Sequence, residues 1–144
     1  MKFNSTYSKL TESFLIDKPE YLLQRYLNLT PDKYLKIVTE NGKEFFNTIV
    51  GVFITSYLVK NGKLLVNFNS ISGSFICTKL GLTTLEGCPK IVYGDFIVHS
   101  NNLTSLDYLP IKVTGDFVCY GNFKNFSQKE VFDKCNVKGH INNV

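Results

Sequence analysis

Three consecutive stretches decide the fold: GSFICTKLGLTTLEGCPKIVY over residues 73–93, GDFIVHSNNLTSLDYLPIKVT over 94–114, and GDFVCYGN over 115–122. Their leading glycines, Gly73, Gly94 and Gly115, recur 21 residues apart. A fixed period in the low twenties points to a solenoid. In such a fold each unit is one strand plus a return segment, and neighbouring units supply the burial that one unit lacks.

Parity gives the physics of a unit. Alternate side chains of a strand point to opposite faces. The inward set is therefore Val92, Gly94, Phe96 and Val98, then Val113, Gly115, Phe117 and Cys119, preceded by Gly73, Phe75 and Cys77. Phe falls on Phe and small residue on small residue. The return segments add Leu82, Leu85, Leu103 and Leu106 to the same interior. Asn101 and Asn122 fall where the backbone leaves the ladder. An amide side chain carries both donors and acceptors for the backbone groups a bend leaves unpaired.

The middle unit, Phe96-x-Val98-x-x-Asn101-x-Leu103-x-x-Leu106, resembles the leucine-rich-repeat pattern L-x-L-x-x-N-x-L, with Phe in the first slot. Leu103-Thr104-Ser105-Leu106, followed by Leu109-Pro110, resembles the short bacterial type of that repeat, a style also found in small phage proteins. The unit from Gly115 keeps Phe117, Cys119 and Asn122 but places Phe123 and Phe126 one residue early. The unit from Gly73 carries Leu80 where the others carry Asn. The resemblance covers less than half of the chain. It implies an architecture and says little about function.

The flanks read as the ends of the solenoid. Residues 1–50 are expected to form a helical N-terminal cap: a weak helix over 7–14, a helix from Asp17-Lys18-Pro19-Glu20 to about Asn28, and a second from Thr30-Pro31 to Asn41-Gly42. Leu22, Leu23, Tyr26 and Leu27 give the first of these its apolar face, and Tyr34, Leu35 and Val38 the second. Residues 51–144 hold the solenoid. Val52 to Val59 reads as a strand, and Asn61-Gly62 turns it into a hairpin that enters the coils. A rival register starts a coil at Gly51, 22 residues before Gly73. At the far end, Ser127-x-x-Glu130 is a capping box for a short helix with Val131, Phe132 and Cys135 on its apolar side. Asn136 to Ile141 reads as a last strand, with Gly139 in the glycine slot. The fold class is α+β: a single compact domain built on a short parallel-strand solenoid.

Composition narrows the function. The chain has 144 residues, no Ala, no Trp, one Arg and a net charge of +4. Abundant Lys, Asn, Ile, Tyr and Phe fit an AT-rich genome, such as many phages have. No apolar run is long enough to span a membrane, and the N-terminus lacks the apolar core of a secretory signal. The four cysteines lack C-x-x-C spacing; Cys77 and Cys119 share a slot that Val98 fills between them, so they read as small buried hydrophobes in a reducing, cytoplasmic setting. Gly81, Gly87, Gly94, Gly115 and Gly121 follow the repeat rather than a phosphate loop. His99 and His140 lack metal-ligand neighbours in sequence. Cys119 and His99 point to opposite faces, and Asp95 with Asp116 reads as a solvated acidic rung. No catalytic residue, metal or cofactor is assigned.

The outward face of the strands remains. Its rows are Ser74, Asp95 and Asp116; Ile76, Ile97 and Val118; and Thr78, His99 and Tyr120, with Tyr93 and Thr114 beside them. A solvated sheet face should alternate to polar, so the middle row is an apolar strip with a polar rim, the pattern of a protein-binding site. The expected binding residues are Ile76, Thr78, Tyr93, Asp95, Ile97, His99, Asp116, Val118 and Tyr120. The expected partner is a host or bacterial protein, and the expected role a phage-encoded inhibitor of a host or defence protein acting in the host cytoplasm. A second copy of the chain is another occupant of the strip. The alternative function is nucleic-acid binding through scattered lysines.

Overall fold

The computed structural model describes residues 18–144. From Gly51 onward the chain winds as a parallel-strand solenoid, but each coil carries two short strands where one was expected. Strands β3 (Val52–Phe53), β7 (Phe75–Ile76), β9 (Phe96–Ile97), β11 (Phe117–Val118) and β13 (Ile141–Asn142) form sheet B in that order. Strands β6 (Asn67–Ile71), β8 (Ile91–Val92), β10 (Lys112–Val113) and β12 (Asn136–Val137) stack in sheet A. Val92 and Phe96 are both fully buried, as parity required, yet they lie on different sheets because the chain turns a corner at Gly94.

The corner explains the glycine period. A Cβ on Gly94 would lie 2.7 Å from the carbonyl carbon of Gly73, and one on Gly73 would lie 2.6 Å from the nitrogen of Gly51. A Cβ on Gly139 would lie 2.5 Å from the Gly115 oxygen. Successive corners touch backbone to backbone, so a side chain has no space there.

Inside, the register is Phe75–Phe96–Phe117, with Ile76–Ile97–Val118 facing out. The Phe75 and Phe96 rings stack at 5.8 Å, and Phe96 and Phe117 lie 5.2 Å apart. All three are fully buried, with Cys77, Val98, Leu82, Leu85 and Leu103 around them and Cys119 and Leu106 nearly so. Asn101 acts as the bend required. Its Oδ1 accepts from the Leu80 and Leu82 N–H groups, and its Nδ2 donates to the Cys77 and Val98 carbonyls at 2.8 and 3.1 Å. Asn122 repeats this one coil later with Leu103, Val98 and Cys119.

Both readings of residues 51–73 hold together. Val52 donates to the Ser74 carbonyl, and β3 pairs with β7, so Gly51 begins a coil. The expected long strand over 52–59 is split by a 3-10 turn at Ser56–Leu58. The Asn61-Gly62 turn, with φ of 53° and 74°, joins β4 (Val59–Lys60) to β5 (Lys63–Leu64) as a small hairpin within that coil.

The N-terminal expectation needs correction. Helix α1 (Pro19–Leu27) is present, with Leu23 fully buried and Asn28 left-handed at its end, but its N-cap is Lys18. The helix over 7–14 and the capping Asp17 lie outside the described residues. The second helix does not exist. After a 3-10 turn at Pro31–Lys33 the chain forms β1 (Tyr34–Glu40), reverses at Asn41-Gly42, and returns as β2 (Lys43–Thr48). Asn-Gly with positive φ at both positions is hairpin chemistry, and Ile37-Val38-Thr39 is β-branched. Strand β2 then pairs in parallel with β6, so this hairpin extends sheet A. Among the described residues of 1–50, the helical cap reduces to α1 and the short 3-10 turn.

At the other end, α2 (Gln128–Phe132) has the Ser127/Glu130 capping box, and Val131 and Cys135 are buried. Phe132 is exposed, contrary to its expected place on the apolar side. The last strand is two, β12 and β13, around a corner at Gly139. Phe126 fills the interior of the final return, while Phe123 is 75 % exposed and takes no core slot.

Candidate functional site

Sheet B presents three outward rows as expected, but the row of Tyr93 and Thr114 falls before the Gly94 and Gly115 corners and continues the ladder of sheet A. Register places Phe53, Ile76, Ile97, Val118 and Asn142 in one line across the rungs. Ile76, Ile97 and Val118 are each partly exposed, and Phe53 is 62 % exposed. Phe53 thus lengthens the apolar ridge by one rung. It was missed because residues 52–59 were read as one hairpin strand; the 22-residue spacing from Gly51 was the signal that could have found it.

One flank of the ridge is aromatic and hydroxylic. The His99 and Tyr120 rings stack at 4.5 Å and 6°. Burial, and then the nearby charge of Lys79, hold the His99 pKa below its ordinary value, so the imidazole is neutral near pH 7. Its Nδ1 lies 2.9 Å from the Ser100 hydroxyl. Thr78 precedes this pair on the adjoining rung, whereas Tyr93 lies beyond Asp95 on the opposite side of the ridge, exposed before the Gly94 corner.

The other flank is a side-chain ladder. The Ser74 hydroxyl accepts from the Asp95 N–H at 2.9 Å, Asp95 Oδ1 from the Asp116 N–H at 2.8 Å, and Asp116 Oδ1 from the His140 N–H at 2.8 Å. The acidic rung is therefore structural as well as solvated: one oxygen of each carboxylate ties a coil to the next. Asp95 has no ion-pair partner among the described residues, and Asp116 has only the His140 ring, 3.6 Å away and charged only when protonated.

The opposite sheet offers a groove of about 420 Å³ that the sequence did not announce. Phe45, Leu109 and Ile111 line it, with Tyr108 at 61 % exposure. Its charges are matched. Lys90 meets Glu40 at 3.0 Å and lies over the Phe45 ring, and Glu86 faces Lys43 and Lys63. The hydrogen bond from Lys63 holds the Glu86 carboxyl below its usual range.

The four thiols are free and buried. Burial pushes Cys77 up to about 12, and Cys119 and Cys135 to about 11. Cys119 faces the interior while His99 faces out, so the structure does not bring them together. Among the described residues no group of three or more His, Cys, Asp and Glu is gathered at metal-binding distance. Nor is any helix long and apolar enough to cross a membrane.

The fold and face define a class, a small parallel solenoid with an amphiphilic outer sheet. Comparison with family models, curated proteins and solved structures finds no match.

Proposed function

We propose that this chain is a non-catalytic protein-binding module that grips its partner with the outward face of sheet B. The observation that carries the reading is the aligned ridge Phe53–Ile76–Ile97–Val118, flanked by the stacked His99–Tyr120 pair on one side and carboxylates on the other. Tyrosine is the residue type that recurs at binding hot spots, and an apolar strip with a polar rim is how interface cores are built. The finer parts of the proposal rest on less. A leucine-rich-repeat-like ancestry is supported by the Asn101 slot and the L-T-S-L return. A phage-encoded inhibitor of a host or defence protein is supported by composition and repeat style alone, and a reducing cytoplasmic setting by four buried free thiols. The nucleic-acid reading loses ground because Lys43, Lys63, Lys90, Lys124, Lys129 and Lys134 each face a carboxylate.

The test is affinity capture with the tagged chain and with Ile97→Asp and Tyr120→Ala variants whose melting curves match the parent. Loss of the captured protein from both variants is expected. Undiminished capture would refute the assignment of this face.

A further inference from the structure

The reading of sheet B as a docking face leaves the partner's shape and chemistry open, and the rows narrow both. We infer that the face receives an amphipathic α-helix laid along the solenoid axis, carrying lysine or arginine on the side that meets Asp95 and Asp116. This rests on the proposed function above and deepens it.

The first argument is metric. Rungs of a parallel sheet repeat at roughly 4.8 Å, and a helix turn advances about 5.4 Å. A helix running across the rungs therefore sets about one residue per turn against each of Phe53, Ile76, Ile97 and Val118. The four-rung ridge spans roughly 14 Å, the length of about ten helical residues. The second argument is width. Alternate residues on a strand stand roughly 7 Å apart, so the three rows together span about 14 Å. A helix is about 10–12 Å across with its side chains, and one centred on the ridge touches both flanks. An extended strand lying along the same axis would cover little beyond the ridge.

The third argument is charge. The chain is net basic, yet Lys43, Lys63, Lys90, Lys124, Lys129 and Lys134 each already meet a carboxylate. Asp95 and Asp116 are acids on adjoining rungs, directly beside an apolar row, with no lysine or arginine of the described residues against them. Each spends one oxygen on the backbone of the next coil and keeps the other for a donor. A cationic side chain flanking the partner's apolar stripe meets that second oxygen. The Thr78–His99–Tyr120 flank carries no carboxylate and lies near the Lys79 cation, so it does not attract a basic side chain.

Substitution can separate charge from structure here. Asn in place of Asp keeps an Oδ1 acceptor for the backbone N–H while removing the charge, so Asp95→Asn with Asp116→Asn preserves the ladder. The experiment titrates three synthetic peptides into the full chain, followed by methyl and amide NMR. One is a 14-residue leucine-striped helix former with lysines on one flank. The second has glutamates in place of the lysines. The third has the composition of the first rearranged into strict alternation. The lysine helix is expected to shift Ile76, Ile97 and Val118 and to bind at least tenfold more tightly than the other two. The Asp95→Asn/Asp116→Asn double variant should lose at least fivefold for that peptide alone. Equal binding of the lysine and glutamate helices overturns the charge inference while sparing the docking face. Tighter binding of the alternating peptide overturns the helix. Shifts confined to Phe45 and Ile111, or no shift on sheet B with any peptide, overturn this inference and the docking face together.

Discussion

The two outward faces of the solenoid share one ladder and differ in what they show to water. Sheet A and sheet B are built by the same coils, and their inward residues meet in one core. Sheet A turns out Ser70, Ile91, Lys112 and Asn136 along one register line, beside a groove whose lysines and glutamates cancel. Sheet B turns out an apolar line from Phe53 to Val118 and a pair of carboxylates that no lysine or arginine of the described residues meets. The shared interior is thus what the fold demands. The outward rows are free of that demand, and where they depart from ordinary solvated alternation the departure points to use rather than to folding.

That contrast can be attacked from the inside first. Phe96 lies between two other rings and serves both faces, so Phe96→Ala should cost about 3–5 kcal/mol in chemical denaturation. It should lower sheet A and sheet B stability together; a loss confined to one face would show that the coils are not a single cooperative unit. Asn101→Ala should be next in size. It strands the Leu80 and Leu82 N–H groups and the Cys77 carbonyl, at about 1–3 kcal/mol for each group that water cannot reach. Hydrogen exchange at Leu80 and Leu82 should quicken before that of Phe96.

The smallest effect at neutral pH belongs to the thiols. The Cys77 thiol is raised by burial to about 12 from an ordinary value near 9. Its neutral form is the one the fold favours, so its contribution is fully present below pH 9 and fades as pH climbs toward 12. Cys77→Val, which installs the residue found at the same slot in the next coil, should be nearly neutral at pH 7 and should flatten the alkaline loss. An unchanged alkaline limb would assign that loss to the other thiols.

Much of this architecture was legible because it rests on short-range rules. The inward phenylalanines and the Ser127/Glu130 box follow from strand parity and local capping, while the corner glycines and the Asn101 amide, which act between coils, show themselves by recurring every 21 residues or at the same slot. The errors arose where two rules competed. Thr30-Pro31 reads as a helix start, yet Ile37-Val38-Thr39 and Asn41-Gly42 favour a hairpin, and pairing of β2 with β6 decides for the strand. Val52 to Val59 reads as one run, but the coil closes only if the chain turns at Ser56. The rows of sheet B were readable from parity. Phe53 was not, since its place depends on Gly51 stacking under Gly73. The groove beside Phe45 gathers residues from 40–45, 86–90 and 108–111 together with Asn67, and no local pattern joins them.

The most direct trial of the central claim is hydroxyl-radical footprinting of the chain alone and in complex with the protein it captures. Both faces carry exposed aromatic probes: Phe53 and Tyr120 along sheet B, Tyr108 beside the groove. The account predicts that the partner protects Phe53 and Tyr120 while Tyr108 oxidises as before. Protection of Tyr108 and Phe45 with Phe53 and Tyr120 unchanged would contradict it.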